Sequence, residues 1–488
     1  MKKCKEKLFM LENLQPAKVF TFFEEICQIP HGSYHTDKIS AYLVDFAAER
    51  NLWHKQDEVG NVIIIKEATP GYEEKEPVII QGHMDMVAVK EEGCSKDMLT
   101  DGLDLVVEGD YISAEGTSLG GDDGIAVAYA LAILDSDDIP HPRLEVVITV
   151  DEEVGMDGAA AIDLSCLKGH TLLNIDSEKE TELTVACAGG VNISGQWQVD
   201  WVESEGEKYK VMLTGMTGGH SGVEIHKGRA NANKLLMELL YLLEREVDIS
   251  LVSLQGGSAD NVIPSHAEAV FLCKKEAERV EGALRTVEEV WKEEWQETDP
   301  GLSISYEKME RNDVEKTVET TDFFRLLSFF MDAPNGVQEM SKELSGVVET
   351  SLNFGTVSME QEGRLSAGFL IRSSVDNSKN ALASKLRKQI KESQGSCSKS
   401  GEYPGWSYRA DSPLREKMVR IYREHFQREP EVISIHAGLE CGMLAEKIKN
   451  LDAVSMGPEM YDIHTTEERL SISSVKRVWE YLLKILAE

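Results

Sequence analysis

The strongest constraint on the fold is a change of strand style along the chain. Early strand-forming runs are short and apolar on both faces: 78–81 (VIIQ), 144–150 (LEVVITV) and 170–175 (HTLLNI). Such runs belong to strands covered on both sides, as in parallel sheets flanked by helices. Residues 17–50 read as helical with a break at IPHGSYHTDK, and 61–66 as a further strand. Residues 125–134 are apolar all round, which predicts a buried helix. Strands alternating with helices predict an α/β domain with a mostly parallel sheet.

From Val191 onward, after ACAGG, the runs alternate apolar and polar, as half-exposed antiparallel strands do. Strand 208–214, helix 229–245, strands 249–256 and 261–273, helix 276–294 and strand 302–309 follow in order. That βαββαβ order is ferredoxin-like. A second set follows: a helix near 321–331, strands 346–358 and 364–374, and a helix at 378–393. The two sets suggest a degenerate structural repeat without sequence identity. The polar stretch 391–406 reads as a linker. The α/β style then returns with helix 412–427, strand 431–435, helix 438–448, strand 453–456 and helix 472–487. The economical division is an α/β domain built from 1–188 and 401–488, interrupted by an inserted α+β domain at 189–400.

A chain of 488 residues exceeds one ordinary core, in keeping with that division. Its formal charge of −35 repels phosphate backbones and anionic lipid, so neither nucleic acid nor membrane is an expected partner. The first residues are basic, but their apolar run, Leu8 to Leu11, is too short for a secretory signal. The longest apolar run, Ile125 to Leu134, is too short to span a bilayer. The eight cysteines form no CxxC pair and read as reduced thiols, so a cytoplasmic location is expected.

Acidic and histidine residues recur at strand ends. VIIQGHMDMVAV carries His83 and Asp85, which share a face if the strand runs through them. A carboxylate beside a metal-ligating histidine fixes its tautomer and raises its basicity. The alternative is a buried histidine–aspartate hydrogen bond without metal. Asp122 and Asp123 precede the buried helix, where either would serve as an N-cap. Asp151, Glu152 and Glu153 follow a buried strand, and three adjacent acids there need a cation or solvent to relieve them. Asp176 follows the next strand, and His464 lies in a loop before the last helix. In open α/β sheets, sites form beyond the carboxyl ends of strands. Two histidines and three carboxylates there suit two divalent metals of the zinc type, and a spare acid suits a general base.

The motifs GHMDMV, GGDDG, DEEVG, NIDSE and DIHT resemble, in order, the metal-site motifs of the co-catalytic zinc peptidases that include peptidase T and the aminoacylases. Within that family, LTGMTGGHSGVEIHKGRANANK, NVIPSHAEA, LIRSS and IHAGLECG look like the aminoacyl-histidine (Xaa-His) dipeptidase branch, and the resemblance covers nearly the whole chain. It implies two zinc ions per subunit, with cobalt or manganese as substitutes. His83 and Asp176 would bind one, Glu153 and His464 the other, and Asp122 would bridge them. Asp85 would orient His83, and Glu152 would be the general base. The implied reaction is hydrolysis of dipeptides with a free N-terminus, including Xaa-His, by a metal-bridging hydroxide. The insert would be a lid or dimerisation domain. Its His220 would act as an oxyanion donor, and Asn261, Arg372 and Gly438 would bind substrate. The resemblance also favours a homodimer. An N-acyl-amino-acid deacylase or a tripeptidase is the alternative within the same clan. Two departures from the family pattern stand out: Asp123 where asparagine is common, and Thr466 where proline is common. The family's cis bond after the bridging aspartate predicts a cis Asp122–Asp123 peptide.

Overall fold

Apolar strands and one wholly buried helix set the frame of the first unit. The computed structural model describes residues 10–275, 277–310, 314–360 and 362–488. The chain divides into two units: one runs to Ala186 and adds Tyr408–Ser434 and Leu439–Glu488, and the other comprises Cys187–Ser407 and Ile435–Gly438.

The first unit carries an eight-stranded sheet. Its spatial order is Trp53–Gln56, Val62–Lys66, Leu144–Thr149, Val78–His83, Thr171–Asn174, Asp452–Ser455, Glu182–Cys187 and Glu431–Ile435. The four strands from Leu144–Thr149 to Asp452–Ser455 are mutually parallel. They are buried throughout apart from the half-buried Thr171, as their apolar composition requires. The helix Gly121–Leu134 is buried at every residue. Parallel register brings the carboxyl ends of the central strands to one edge, with His83 opposite Thr149 and Gln81 opposite Asn174. The edge strand Trp53–Gln56 was not foreseen, because WHKQ is polar and half-exposed and lacks an apolar period. A small four-stranded sheet of Leu105–Glu108, Tyr111–Ala114, Met460–Tyr461 and Arg469–Ser471 is likewise an addition.

In the second unit, eight strands are numbered in chain order. They are β1 (Gly189–Gln198), β2 (Glu207–Thr214), β3 (Ile249–Gly256), β4 (Ala267–Cys273), β5 (Ser303–Met309), β6 (Val348–Met359), β7 (Arg364–Ser373) and β8 (Ser396–Tyr403). Their order across the sheet is β5-β2-β4-β3-β6-β7-β1-β8, with Gly336–Met340 added alongside β6. Strands β2 to β5 enclose the helices Ala232–Val247 and Ala277–Glu294 in sequence, and stand in the ferredoxin-like order of fourth, first, third, second. Strands β1, β6, β7 and β8, with the helices Thr320–Asp332 and Asp376–Glu392, repeat that order. The repeat is hidden in the sequence because the first half is inserted after β1 of the second. The halves join where β3 pairs with β6, Gln255 opposite Ser358. Aromatic packing consolidates the second half, with Trp197 4.8 Å from Phe329 and Phe354 4.9 Å from Phe369 between ring centres.

Two expectations are corrected. The linker read at 391–406 is instead the end of a helix and the edge strand β8, paired with β1 from Ser396 opposite Gln196. Most residues of β8 are exposed and only one of its edges is paired, so its polar sequence mimics a linker. The single strand read at 261–273 is two, Val262–Ile263 and Ala267–Cys273, interrupted after Pro264, which has no N–H to donate.

Candidate metal and catalytic site

The strand ends of the first unit gather the acidic and histidine residues. His83 closes its strand and is buried. Its Nδ1 lies 3.0 Å from the Asp85 carbonyl and 3.4 Å from Asp85 Oδ1. The nearer acceptor is thus the carbonyl, and Asp85 lies beyond the strand end rather than within the strand. Its Nε2 points toward Asp122 Oδ1 at 3.2 Å, and Asp176 Oδ1 is 3.8 Å away. On the other side, His464 Nε2 lies 3.1 Å from Asp122 Oδ2 and 2.9 Å from Glu153 Oε1. Each oxygen of Asp122 therefore faces a different imidazole.

The N-cap alternative for Asp122 and Asp123 falls away. Neither caps the helix, and both have non-helical backbone angles. The peptide between them is cis. The helix start is instead held by Glu468, whose carboxylate accepts the N–H groups of Leu119 at 2.8 Å, Gly120 at 3.1 Å and Gly121 at 2.8 Å. Sequence reasoning missed Glu468. Its only signal was an acid close to His464, which exposed acids also give.

The Asp85 carboxylate is a hub. Oδ1 accepts the Glu152 N–H at 3.0 Å, and Oδ2 accepts the Ser33 hydroxyl at 2.8 Å and the Glu153 N–H at 3.4 Å. One side chain thus fixes the backbone of the DEEVG turn. Burial pushes the Glu152 carboxyl up to about 8; His83 opposes this, and Glu440, Glu153 and Asp122 add to it. Glu440 was also missed. It is fully buried and accepts the Thr149 hydroxyl at 2.6 Å and the Gln81 amide.

Whether these residues fit divalent cations can be tested on their own atoms. His83, Asp122 and Glu153 each offer an atom within 4.8 Å of the others, and so do His83, Asp123 and Asp176. Glu153 Oε1 is buried without a hydrogen-bond donor, although His464 Nε2 is close. Two atoms that approach without bonding each other are placed as co-ligands are. Burial lowers His83, but Asp122, Asp85 and Asp176 outweigh it and hold the imidazole well above its ordinary value. The carboxylates of Asp122 and then Glu153 beside it push His464 up to about 10. The pocket thus demands positive charge, and an N/O donor set of this kind suits zinc-type cations. The residues fit.

The second unit gathers its own set. His220 pairs with Val262 across a short two-stranded ladder, and the Ser221 N–H donates 2.8 Å to the Asn261 carbonyl. His220 Nδ1 accepts the N–H groups of Gly222 at 3.3 Å and Val223 at 3.2 Å. The ring proton therefore sits on Nε2, which leaves a donor pointing away from its own loop. Burial and the charge of Arg372 lower its pKa and keep it neutral. Gly222 has no room for a side chain: a Cβ there would stand 2.6 Å from the His436 carbonyl and 2.9 Å from the His220 ring. Arg372 is buried, and Gly438 lies in the segment Ile435–Gly438 of the same unit.

Comparison with known proteins decides the family. The chain is 36% identical over 482 residues to the cytosol non-specific dipeptidase of Escherichia coli (strain K12), covering 98% of this chain and 99% of that one. It belongs to the M20 metallopeptidase family. The family's peptidase dimerisation domain matches residues 211–299. The crystal structure of aminoacylhistidine dipeptidase from Vibrio alginolyticus superposes with a TM-score of 0.92 at 35% identity, covering 98% of this chain and 97% of that one. Aminopeptidase PepT from Bacillus cereus shares the M20 fold, with a TM-score of 0.55 at 15% identity over 97% of this chain and 98% of that one. Among the described residues, no helix is long and apolar enough to cross a membrane.

Proposed function

We propose that this M20 enzyme hydrolyses dipeptides with a free N-terminus, including Xaa-His, using two zinc ions per subunit. The observation that carries this reading is Asp122, whose oxygens face His83 at 3.2 Å and His464 at 3.1 Å. Full-length similarity to a dipeptidase of Escherichia coli supports it. His83 and Asp176 would hold one ion, Glu153 and His464 the other, with Asp122 shared; cobalt or manganese would suit the same donors. When bound, such ions polarise a carbonyl and acidify water. Glu152 takes a proton from the attacking water and delivers it to the leaving amine nitrogen. Asp85 holds the Glu152 backbone while this happens.

His220 donates from Nε2 to the developing oxyanion. Arg372 and the Gly438 N–H meet the substrate's terminal carboxylate, and Asn261 contacts the substrate. The first unit is the catalytic domain and the second the lid or dimerisation domain. A homodimer in the cytoplasm, with no nucleic-acid or membrane partner, completes the reading.

The test is histidine release from β-alanyl-histidine and from Gly-His by the purified protein, before and after chelation and zinc add-back. Release that is lost on chelation and restored by zinc is expected. No release from either substrate with zinc present would overturn the reading and direct the search to acetylated amino acids and tripeptides.

A further inference from the structure

Arg372 is a buried cation with little to hold it. It is 6% exposed, its Nε has no hydrogen-bond partner, and its Nη1 donates to the Tyr403 hydroxyl at 2.8 Å. Among the described residues, no carboxylate forms an ion pair with it. Its neighbours include His220 and His436, both pushed toward the neutral form by burial first and by the charge of Arg372 second. A buried guanidinium in such company favours an anion from outside the chain.

Tyr403, by contrast, is fixed from several directions. It stands opposite Gly190 in the register of β8 and β1. A Cβ on Gly190 would lie 2.5 Å from its Cε1 and 2.6 Å from its hydroxyl oxygen, so only glycine lets the ring lie there. Its carbonyl accepts from Lys379 Nζ at 2.6 Å, and that ammonium, itself buried, also meets Asp376 Oδ1 at 2.7 Å. The same Asp376 oxygen accepts the Gly405 N–H at 3.1 Å. The ring, its backbone and the following turn are thus tied together, and the hydroxyl is the end of that assembly that meets Arg372.

We propose that Tyr403 is a positioning residue: it holds the Arg372 guanidinium in the pose that receives the substrate's terminal carboxylate. This rests on the reading of Arg372 given above. A guanidinium fixed at one Nη keeps its remaining N–H groups free for bidentate contact. Immobilising it beforehand removes an ordering cost from binding. The proposal also accounts for the second glycine of ACAGG and for the buried ammonium of Lys379.

The experiment uses the zinc-loaded full chain with Gly-His and its C-terminal amide. Tyr403→Phe keeps the ring and removes the hydroxyl. The expected result is a rise of about 3- to 10-fold in KM for Gly-His, the scale of one side chain's ordering cost, with kcat little changed. The kinetics of the amide stay unaltered. Arg372→Met raises KM for Gly-His alone, and adding Tyr403→Phe to it changes nothing further. An equal effect of Tyr403→Phe on both substrates, or none on either while Arg372→Met discriminates, would overturn the role of Tyr403. If Arg372→Met fails to discriminate the acid from the amide, the reading of Arg372 falls first and the proposal falls with it.

Discussion

The Glu152 backbone N–H donates to Asp85 Oδ1 at 3.0 Å. Asp85, whose carbonyl lies 3.0 Å from His83 Nδ1, thereby ties the DEEVG turn to the end of the His83 strand. Asp85→Ala leaves the Glu152 and Glu153 N–H groups and the Ser33 hydroxyl without their acceptor. The expected loss is about 10- to 100-fold in zinc affinity or kcat/KM. Asp85→Asn recovers part of it, because an amide oxygen accepts but its NH2 faces donors. Steady-state kinetics and zinc content of the two variants check this.

Removing the Glu152 carboxylate while keeping the metal site is the cleaner probe of the chemistry. Glu152→Gln keeps the backbone bond to Asp85 and deletes the proposed proton acceptor. A fall of about 10²- to 10⁴-fold in kcat is expected, with zinc retained. Elemental analysis alongside kinetics separates this outcome from loss of the metal.

Glu468 collects the N–H groups that precede Asp122. Glu468→Gln places an NH2 among donors and leaves some of them unsatisfied, at about 1–3 kcal/mol of stability. Because those N–H groups fix the turn that carries Asp122, zinc affinity should fall as well. Thermal unfolding and competition with a chelator measure the two effects.

Gly457 approaches the residue after Asp176 closely. A Cβ there would stand 1.7 Å from the Ser177 carbonyl oxygen, so backbone must move in Gly457→Ala. The expected cost is about 1–3 kcal/mol, with weaker zinc binding because Asp176 adjoins the displaced residue. A lowered unfolding midpoint in urea together with reduced zinc content is the signature.

His436 predicts a pH dependence of stability. Burial, and then the charge of Arg372, lower its imidazole to about 3 from an ordinary 6.5. Between those values the unfolded chain binds the proton and the folded chain does not. The contribution is therefore fully present above about 6.5 and is lost as pH falls toward 3. His220, also lowered, acts in the same direction. From pH 7 to pH 5 the urea midpoint of His436→Gln should therefore fall less, or rise more, than that of the unaltered chain. An unchanged slope would remove His436 from the account.

Much of the fold was legible because apolar pattern reports burial. The central strands and the helix Gly121–Leu134 have no polar face, and only a covered position suits them. The ligand candidates were legible too, since acids and histidines at the ends of such strands have few other reasons to be there. Edge strands were not: β8 and Trp53–Gln56 are polar and largely exposed, and β8 pairs with a strand remote in sequence.

The sequence by itself determined the strand styles, the insertion, and which residue types crowd the strand ends, because local apolar period and residue chemistry are properties of the chain. Tertiary structure alone decided how those residues meet. The nested repeat of the second unit exists only once β3 pairs with β6. Glu468 and Glu440 acquire their roles from N–H groups, a hydroxyl and an amide hundreds of residues away. A hydrogen bond is a matter of distance and angle, and neither is written in the order of residues.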